Sequence, residues 1–131
     1  MSQDHDDPIL IVRRPDKRLT SAVDLVHLAD GDEVHVAHID SPRVPDVDKA
    51  VGTSLEQGIT RCIFNLENFT WIDSAGLGLL IHILRHCRDG GGDLVLVKPN
   101  DRVSMVFRVA QVEELLTVVE TEDEAVVLLR S

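Results

Sequence analysis

The sequence predicts an α/β fold, with one domain over residues 21–131 and a mixed, mostly parallel sheet of four to five strands. About four helices are expected, mainly on one face of that sheet. Three observations carry this. Short apolar runs bounded by polar residues alternate with longer stretches whose apolar residues recur at helical spacing. That alternation yields parallel strands joined by crossover helices. A single hairpin pattern precedes it, which makes the sheet mixed. No internal repeat, low-complexity tract or linker breaks the order.

The elements follow in sequence. Residues 1–20 read as an N-terminal extension, partly disordered or carrying one extra strand, because "ILIV" (9–12) is quickly broken by "RRPDKRLTS". "VDLVHLADGDEVHVAHI" (23–39) reads as a hairpin turning at Asp30-Gly31, with Val34 and Val36 alternating against His35 and Ala37. Pro42 and Pro45 mark a loop. "DVDKAVGTSLEQG" (46–58) places Val47, Ala50, Val51 and Leu55 at helical spacing, with Gly58 as its C-cap. "TRCIFNL" (60–66) has the pattern of a buried strand.

"AGLGLLIHILRHCRD" (75–89) carries Leu77, Leu80, Ile81, Leu84 and Cys87 on one helical face, and Gly90-Gly91-Gly92 stops it. "DLVLVKP" (93–99) is a strand closed by Pro99. "DRVSMVFRVA" (101–110) is a short helix with Val103, Val106, Phe107 and Ala110 inward. "LLTVVE" (115–120) and "EDEAVVLLRS" (122–131) complete the domain as strand and helix.

Composition narrows the function. Of 131 residues, 44% are hydrophobic and 27% charged, with 13 basic against 23 acidic groups and a net charge of −10. A nucleic-acid binder needs basic groups to displace counterions, and an anionic membrane surface needs them equally. Aromatic content is 3% with no Tyr, so base-stacking platforms are missing too. Nucleic acid is excluded as a partner. No apolar run approaches the ~20 residues that span a bilayer, and "MSQDHDDP" lacks the layout of a signal peptide, so no membrane insertion and a cytoplasmic location are expected. Cys62 and Cys87 fit reduced core thiols.

The informative stretch is "WIDSAGLGLL" (71–80). It sets Asp73-Ser74 at the carboxyl side of a strand and the mouth of the next helix, where sites of open α/β sheets sit. Asp73 or Ser74 can serve as an N-cap. Capping does not explain Gly76 and Gly78, each of which costs a helix roughly 1 kcal/mol relative to alanine. Glycines in a first helical turn let another surface approach the backbone closely. The local chemistry therefore reads as a contact face with a hydroxyl in it.

"FNLENFTWIDSAGLGLLIHIL" resembles the signature of STAS-domain anti-sigma factor antagonists, and the resemblance continues through "GGDLVLVKPNDRVSMVFRVAQVEELLTVVETEDEAVVLL". Roughly residues 23–129 are covered. The resemblance implies a STAS-like domain over 21–131 acting as a phosphorylation-controlled protein-binding switch in transcription regulation. The serine after the aspartate is the family's phosphorylation site and corresponds to Ser74. Asp73, Ala75, Gly76, Leu77 and Gly78 correspond to the surface that meets the partner. That partner is implied to be an anti-sigma factor serine kinase, which itself binds the ATP. The unphosphorylated antagonist binds it and frees a sigma factor, phosphorylation releases it, and a serine phosphatase resets the cycle. No catalytic residue, cofactor or metal is implied, and the chain is expected to be a monomer or weak dimer. The loop after the second strand departs from the family pattern: it reads "IDSPRVPDVD", with Asp40, Arg43 and Asp46 as its exposed candidates for partner contact.

Rival chemistries fit the sequence less well. Ser74 lacks the Gly-x-Ser-x-Gly elbow of hydrolases, and no histidine is nominated as its base. His82 and His86 have the i, i+4 spacing of metal ligands, but they lie opposite the Leu80/Leu84 stripe with no following Glu, and read as solvated. Gly90-Gly91-Gly92 follows a helix and lacks a Lys-Ser/Thr, so it is a turn. STAS domains also serve as non-catalytic subunits or adaptors of membrane transport complexes, and that alternative differs in not requiring phosphorylation of Ser74.

Overall fold

The computed structural model describes residues 9–13, 22–27, 33–38, 51–52, 55–69 and 72–130. Strands β1 (Ile9–Arg13), β2 (Ala22–His27), β3 (Glu33–His38), β4 (Arg61–Asn65), β5 (Asp93–Val97) and β6 (Thr117–Val119) form one six-stranded sheet. Its order is β2-β3-β1-β4-β5-β6, with β2 antiparallel to β3 and every other neighbouring pair parallel. The helices are α1 (Ser74–Asp89), α2 (Asp101–Val109) and α3 (Glu122–Arg130). Residues 51–52 and 55–56 are also helical.

Strand alternation sorts the core into two layers. Leu10, Val12, Cys62, Phe64, Leu94 and Leu96 face one side, where Leu80, Ile83, Leu84 and Cys87 of α1, Val103 and Phe107 of α2, and Val51 cover them. Ile9, Ile11, Ile63, Val95 and Val97 face the other side, beneath Ala125 and Leu129 of α3. Most helical cover among the described residues thus lies on one face, and the last helix covers the second. The buried Arg61 links strand to helix, its Nε donating to the Leu129 carbonyl at 3.0 Å.

Several expectations change in detail. The sheet has six strands rather than four to five, because Ile9–Arg13 is a strand lying between β3 and β4. An extra strand is one of the two readings of residues 1–20; its central place is not legible, because a central parallel strand takes both its neighbours from distant sequence. Strand β6 begins at Thr117, after a 3-10 turn over Glu113–Leu115, and Leu115 is exposed. Ala110 is exposed as the C-cap of α2, not inward, since Gln111 turns left-handed with φ 61° and reverses the chain there. The triple glycine is a turn: Gly91 has φ +86°, and a Cβ on Gly92 would fall inside the Thr60 carbonyl. The Asp30-Gly31 turn, the facing of Val34 and Val36, the Pro42/Pro45 loop and residues Val47 and Ala50 lie outside the described residues.

The position of β1 is testable. Leu10 is fully buried, so Leu10→Ala should cost about 2–5 kcal/mol in urea unfolding. A loss of less than about 1 kcal/mol would show that the strand is a detachable extension.

Candidate functional site

The site is built where β4 and β5 end. They pair in parallel with Asn65 level with Val97, and the Leu66 amide continues the pairing by donating to the Val97 carbonyl at 2.8 Å. Both following helices therefore begin at the same edge of the sheet. The chain leaving β4 makes a tight turn, Phe69 N–H donating to the Leu66 carbonyl at 3.0 Å. Phe69 packs its ring against Phe64 with centroids 5.6 Å apart. Asn100 then ties the two approaches together. Its Oδ1 caps α2 by accepting from Val103 N–H at 2.8 Å, and its Nδ2 donates to the Phe69 carbonyl at 3.1 Å.

Asp73 is the N-cap of α1, its carboxylate accepting from Gly76 N–H at 2.8 Å. Its own carbonyl accepts from Leu77 N–H at 2.9 Å, which starts the helical ladder. The capping role is thus real, and it fixes the carboxylate against the first turn. Ser74 is the first residue of the helix and is exposed, as are Ala75 and Gly78, while Gly76 and Leu77 are half-buried. A Cβ on Gly76 would make ordinary contact with Asp73 Oδ1 at 3.4 Å and Ile72 Cβ at 3.5 Å. A Cβ on Gly78 would meet nothing within 4 Å. Packing among the described residues does not demand glycine at 78.

Ser74 stands on a crest between two depressions. One, of about 800 Å³, lies between α1 and α2 and is lined by Ile72, Asp73, Leu77, Arg102, Met105 and Val109 among others. The other, of about 370 Å³, runs down α1 past Leu77, Gly78, Ile81, His82 and Arg85. The first is mainly apolar, and two of its walls are unusually open: Met105 is 56% and Val109 77% exposed. Sequence reasoning missed this contribution of α2. The available signal was Met105 and Val109 at i, i+4, a second apolar stripe beside the buried one.

Of the other candidates, Asp40, Arg43 and Asp46 lie outside the described residues. His82 is exposed, as expected, but His86 is half-buried rather than solvated, with its Nε2 lacking a partner among the described residues. No cluster of three or more metal-ligating side chains occurs among the described residues. Cys62 and Cys87 are buried free thiols. Burial, with a smaller effect of Cys87, pushes the Cys62 thiol well up, and burial followed by the charge of Asp93 pushes Cys87 up to about 12. Both are therefore inert as nucleophiles near neutrality. No helix among the described residues is long and apolar enough to cross a membrane.

Fold and site together define a small α/β domain that presents a serine hydroxyl at a helix mouth, on the carboxyl edge of its sheet. The chain belongs to the STAS domain family, whose profile matches residues 35–125. It is 31% identical over 83 residues to the anti-sigma-B factor antagonist of Staphylococcus aureus, covering 63% of this chain and 76% of that protein. A Thermotoga neapolitana relative is 31% identical over 71 residues, 54% of this chain, and is spanned over only 63% of its own length. The anti-sigma factor antagonist SpoIIAA in its unphosphorylated form matches with a TM-score of 0.61 at 26% identity, over 83% of this chain and 96% of that one. The phosphorylated form of the Bacillus SpoIIAA matches in fold with a TM-score of 0.54 at 23% identity, over 82% and 98% of the two chains.

Removing the cap tests the helix start. Asp73→Ala should lower stability by about 0.5–2 kcal/mol, whereas Asp73→Asn should stay within a few tenths, because asparagine caps as well. Thermal unfolding of both variants measures this. Equal losses would assign the effect to charge rather than to the Gly76 hydrogen bond.

Proposed function

We propose that this chain is an anti-sigma factor antagonist switched by phosphorylation of Ser74. The observation that carries the reading is the exposed Ser74 hydroxyl at the start of α1, beside a helix face left open at Gly78. The kinship with the Staphylococcus aureus antagonist supports it, as does SpoIIAA, which occurs in an unphosphorylated and a phosphorylated form. In the unphosphorylated state the face around Asp73, Ser74, Ala75, Gly76, Leu77 and Gly78 docks on an anti-sigma factor serine kinase, and the sigma factor is set free. The loop carrying Asp40, Arg43 and Asp46 adds contacts. The protein acts in the cytoplasm as a binding module rather than an enzyme.

The switching step is a phosphoryl transfer. Ser74 Oγ attacks the γ-phosphorus of ATP held by the kinase, the bond to the β-phosphate oxygen breaks and ADP leaves. The hydroxyl proton passes to a base of the kinase. A serine phosphatase returns the hydroxyl by adding water across the new ester. The product carries about −1.5 to −2 extra charge at neutral pH, one residue from Asp73. Repulsion from Asp73 and the bulk of a hydrated group in a close interface both expel the partner.

Incubation with the anti-sigma factor serine kinase of the source organism and ATP should place phosphate on Ser74, located by mass spectrometry. Ser74→Ala should bind the kinase constitutively and Ser74→Asp weakly by titration calorimetry, and equal affinities would refute a phosphate-controlled interface. Gly78→Leu separates docking from folding. Leucine should raise stability by something under about 1 kcal/mol, since its side chain enters open space and its helix propensity is better. The same side chain fills room the partner needs, so affinity should fall. Raised stability with unchanged affinity would remove Gly78 from the interface.

A further inference from the structure

We infer that Arg102 holds the phosphate once Ser74 carries one, an inference that rests on the reading of Ser74 as the modified residue. Arg102 and Ser74 line the same depression between α1 and α2. The start of α2 is tied to the chain leaving β4 by the Asn100–Phe69 hydrogen bond. Arg102 lies two residues beyond Asn100, and Ser74 five beyond Phe69.

Three other arginines among the described residues are already engaged. Arg61 donates to the Leu129 carbonyl, Arg88 to Asp93 and to the Leu115 carbonyl, and Arg108 faces Glu113 at 3.9 Å. Arg102 is exposed and makes no hydrogen bond or ion pair among the described residues. A guanidinium unpaired among the described residues, on the wall of the groove that Ser74 also lines, can take a phosphate bidentately.

Among the described residues, few other charged groups line the two depressions beside Ser74. Asp73 and Asp101 line the same depression and oppose a phosphate, while His82 and Arg85 line the other. Arg85 is also exposed, and it is eleven residues further along the same helix, roughly 16 Å along the axis. His82 is eight residues on, roughly 12 Å away. Neither reaches the phosphate, whereas Arg102 comes from a second helix that begins beside the first. Pairing with Arg102 draws the phosphate over the mouth of the apolar groove. The modification then closes that groove as well as charging the crest.

The test needs no kinase. Phosphoserine is inserted at position 74 during translation, and its second ionisation is followed by phosphorus NMR in the full chain. In the parent protein it should fall below the ordinary value of about 6. Arg102→Gln should raise it by about half a pH unit or more, roughly threefold in proton affinity, and Arg102→Lys should recover part of the difference. Arg85→Gln should leave it unchanged. Amide spectra confirm that each variant is folded, which is expected of exposed substitutions. No rise with Arg102→Gln, or an equal rise with Arg85→Gln, overturns the inference. Because the phosphate is installed synthetically, this result is independent of whether a kinase modifies Ser74, and a kinase that ignores Ser74 would defeat only the earlier reading.

Discussion

The parallel pairing of β4 with β5 is the constraint on which the site depends. Asn65 and Val97 are level in that ladder, so both strands expire at one edge and both must send their chains into helices there. Parallel strands have their crossover helices start at this edge as a matter of topology. The Leu66–Val97 and Asn100–Phe69 hydrogen bonds then tie the chain leaving β4 to the end of β5 and to the cap of α2. Ser74, Arg102 and the groove between them follow from that arrangement and not from any local feature of "DSAGLG" alone.

The helix start balances opposing costs. Gly78 forfeits about 1 kcal/mol of helix propensity with no intramolecular contact that requires it. The Asp73 cap returns a similar amount by satisfying the Gly76 amide. Meanwhile Leu80, Ile83, Leu84 and Cys87 anchor the inner face of α1 in the larger core layer. The helix can therefore keep a bare, weakly favourable outer first turn, because its position is decided by the other side. Stability and openness are handled by different faces of the same sixteen residues.

Much of this was legible in the residues because their patterns are local. "RCIFN" and "DLVLV" are apolar runs of strand length, and α1 shows its period over four turns. The exposure of Ser74 follows from Asp-Ser ahead of that period, whereas the choice of Asp73 over Ser74 as the cap does not. Strand β1 was less legible, since four apolar residues between prolines say nothing of neighbours that lie some twenty-five to fifty positions away. The groove is legible only as a second apolar stripe, Met105 and Val109 at i, i+4. Met105 and Val109 read as surface residues of an amphipathic helix, and only the placement of α2 beside α1 turns them into a wall. Ala110 was misassigned for a related reason, because helical spacing cannot tell where a left-handed Gln111 will end the helix.

A net charge of −10 frames how such a switch can work. One phosphate changes the total charge by less than a fifth, which alters long-range attraction to a basic partner only slightly. Exposed charges are screened beyond about 8–10 Å at physiological salt, so the phosphate acts chiefly on groups within that distance. A partner responds strongly only if it brings its own backbone or side chains that close to Ser74. That requirement is met where side chains are absent, at the open surface of Gly78, and where an apolar hollow admits a protruding group, between Ser74 and Met105. The bare first turn and the neighbouring hollow are thus consequences of one physical limit: a single charged group can govern binding only through contacts made within its own screening length.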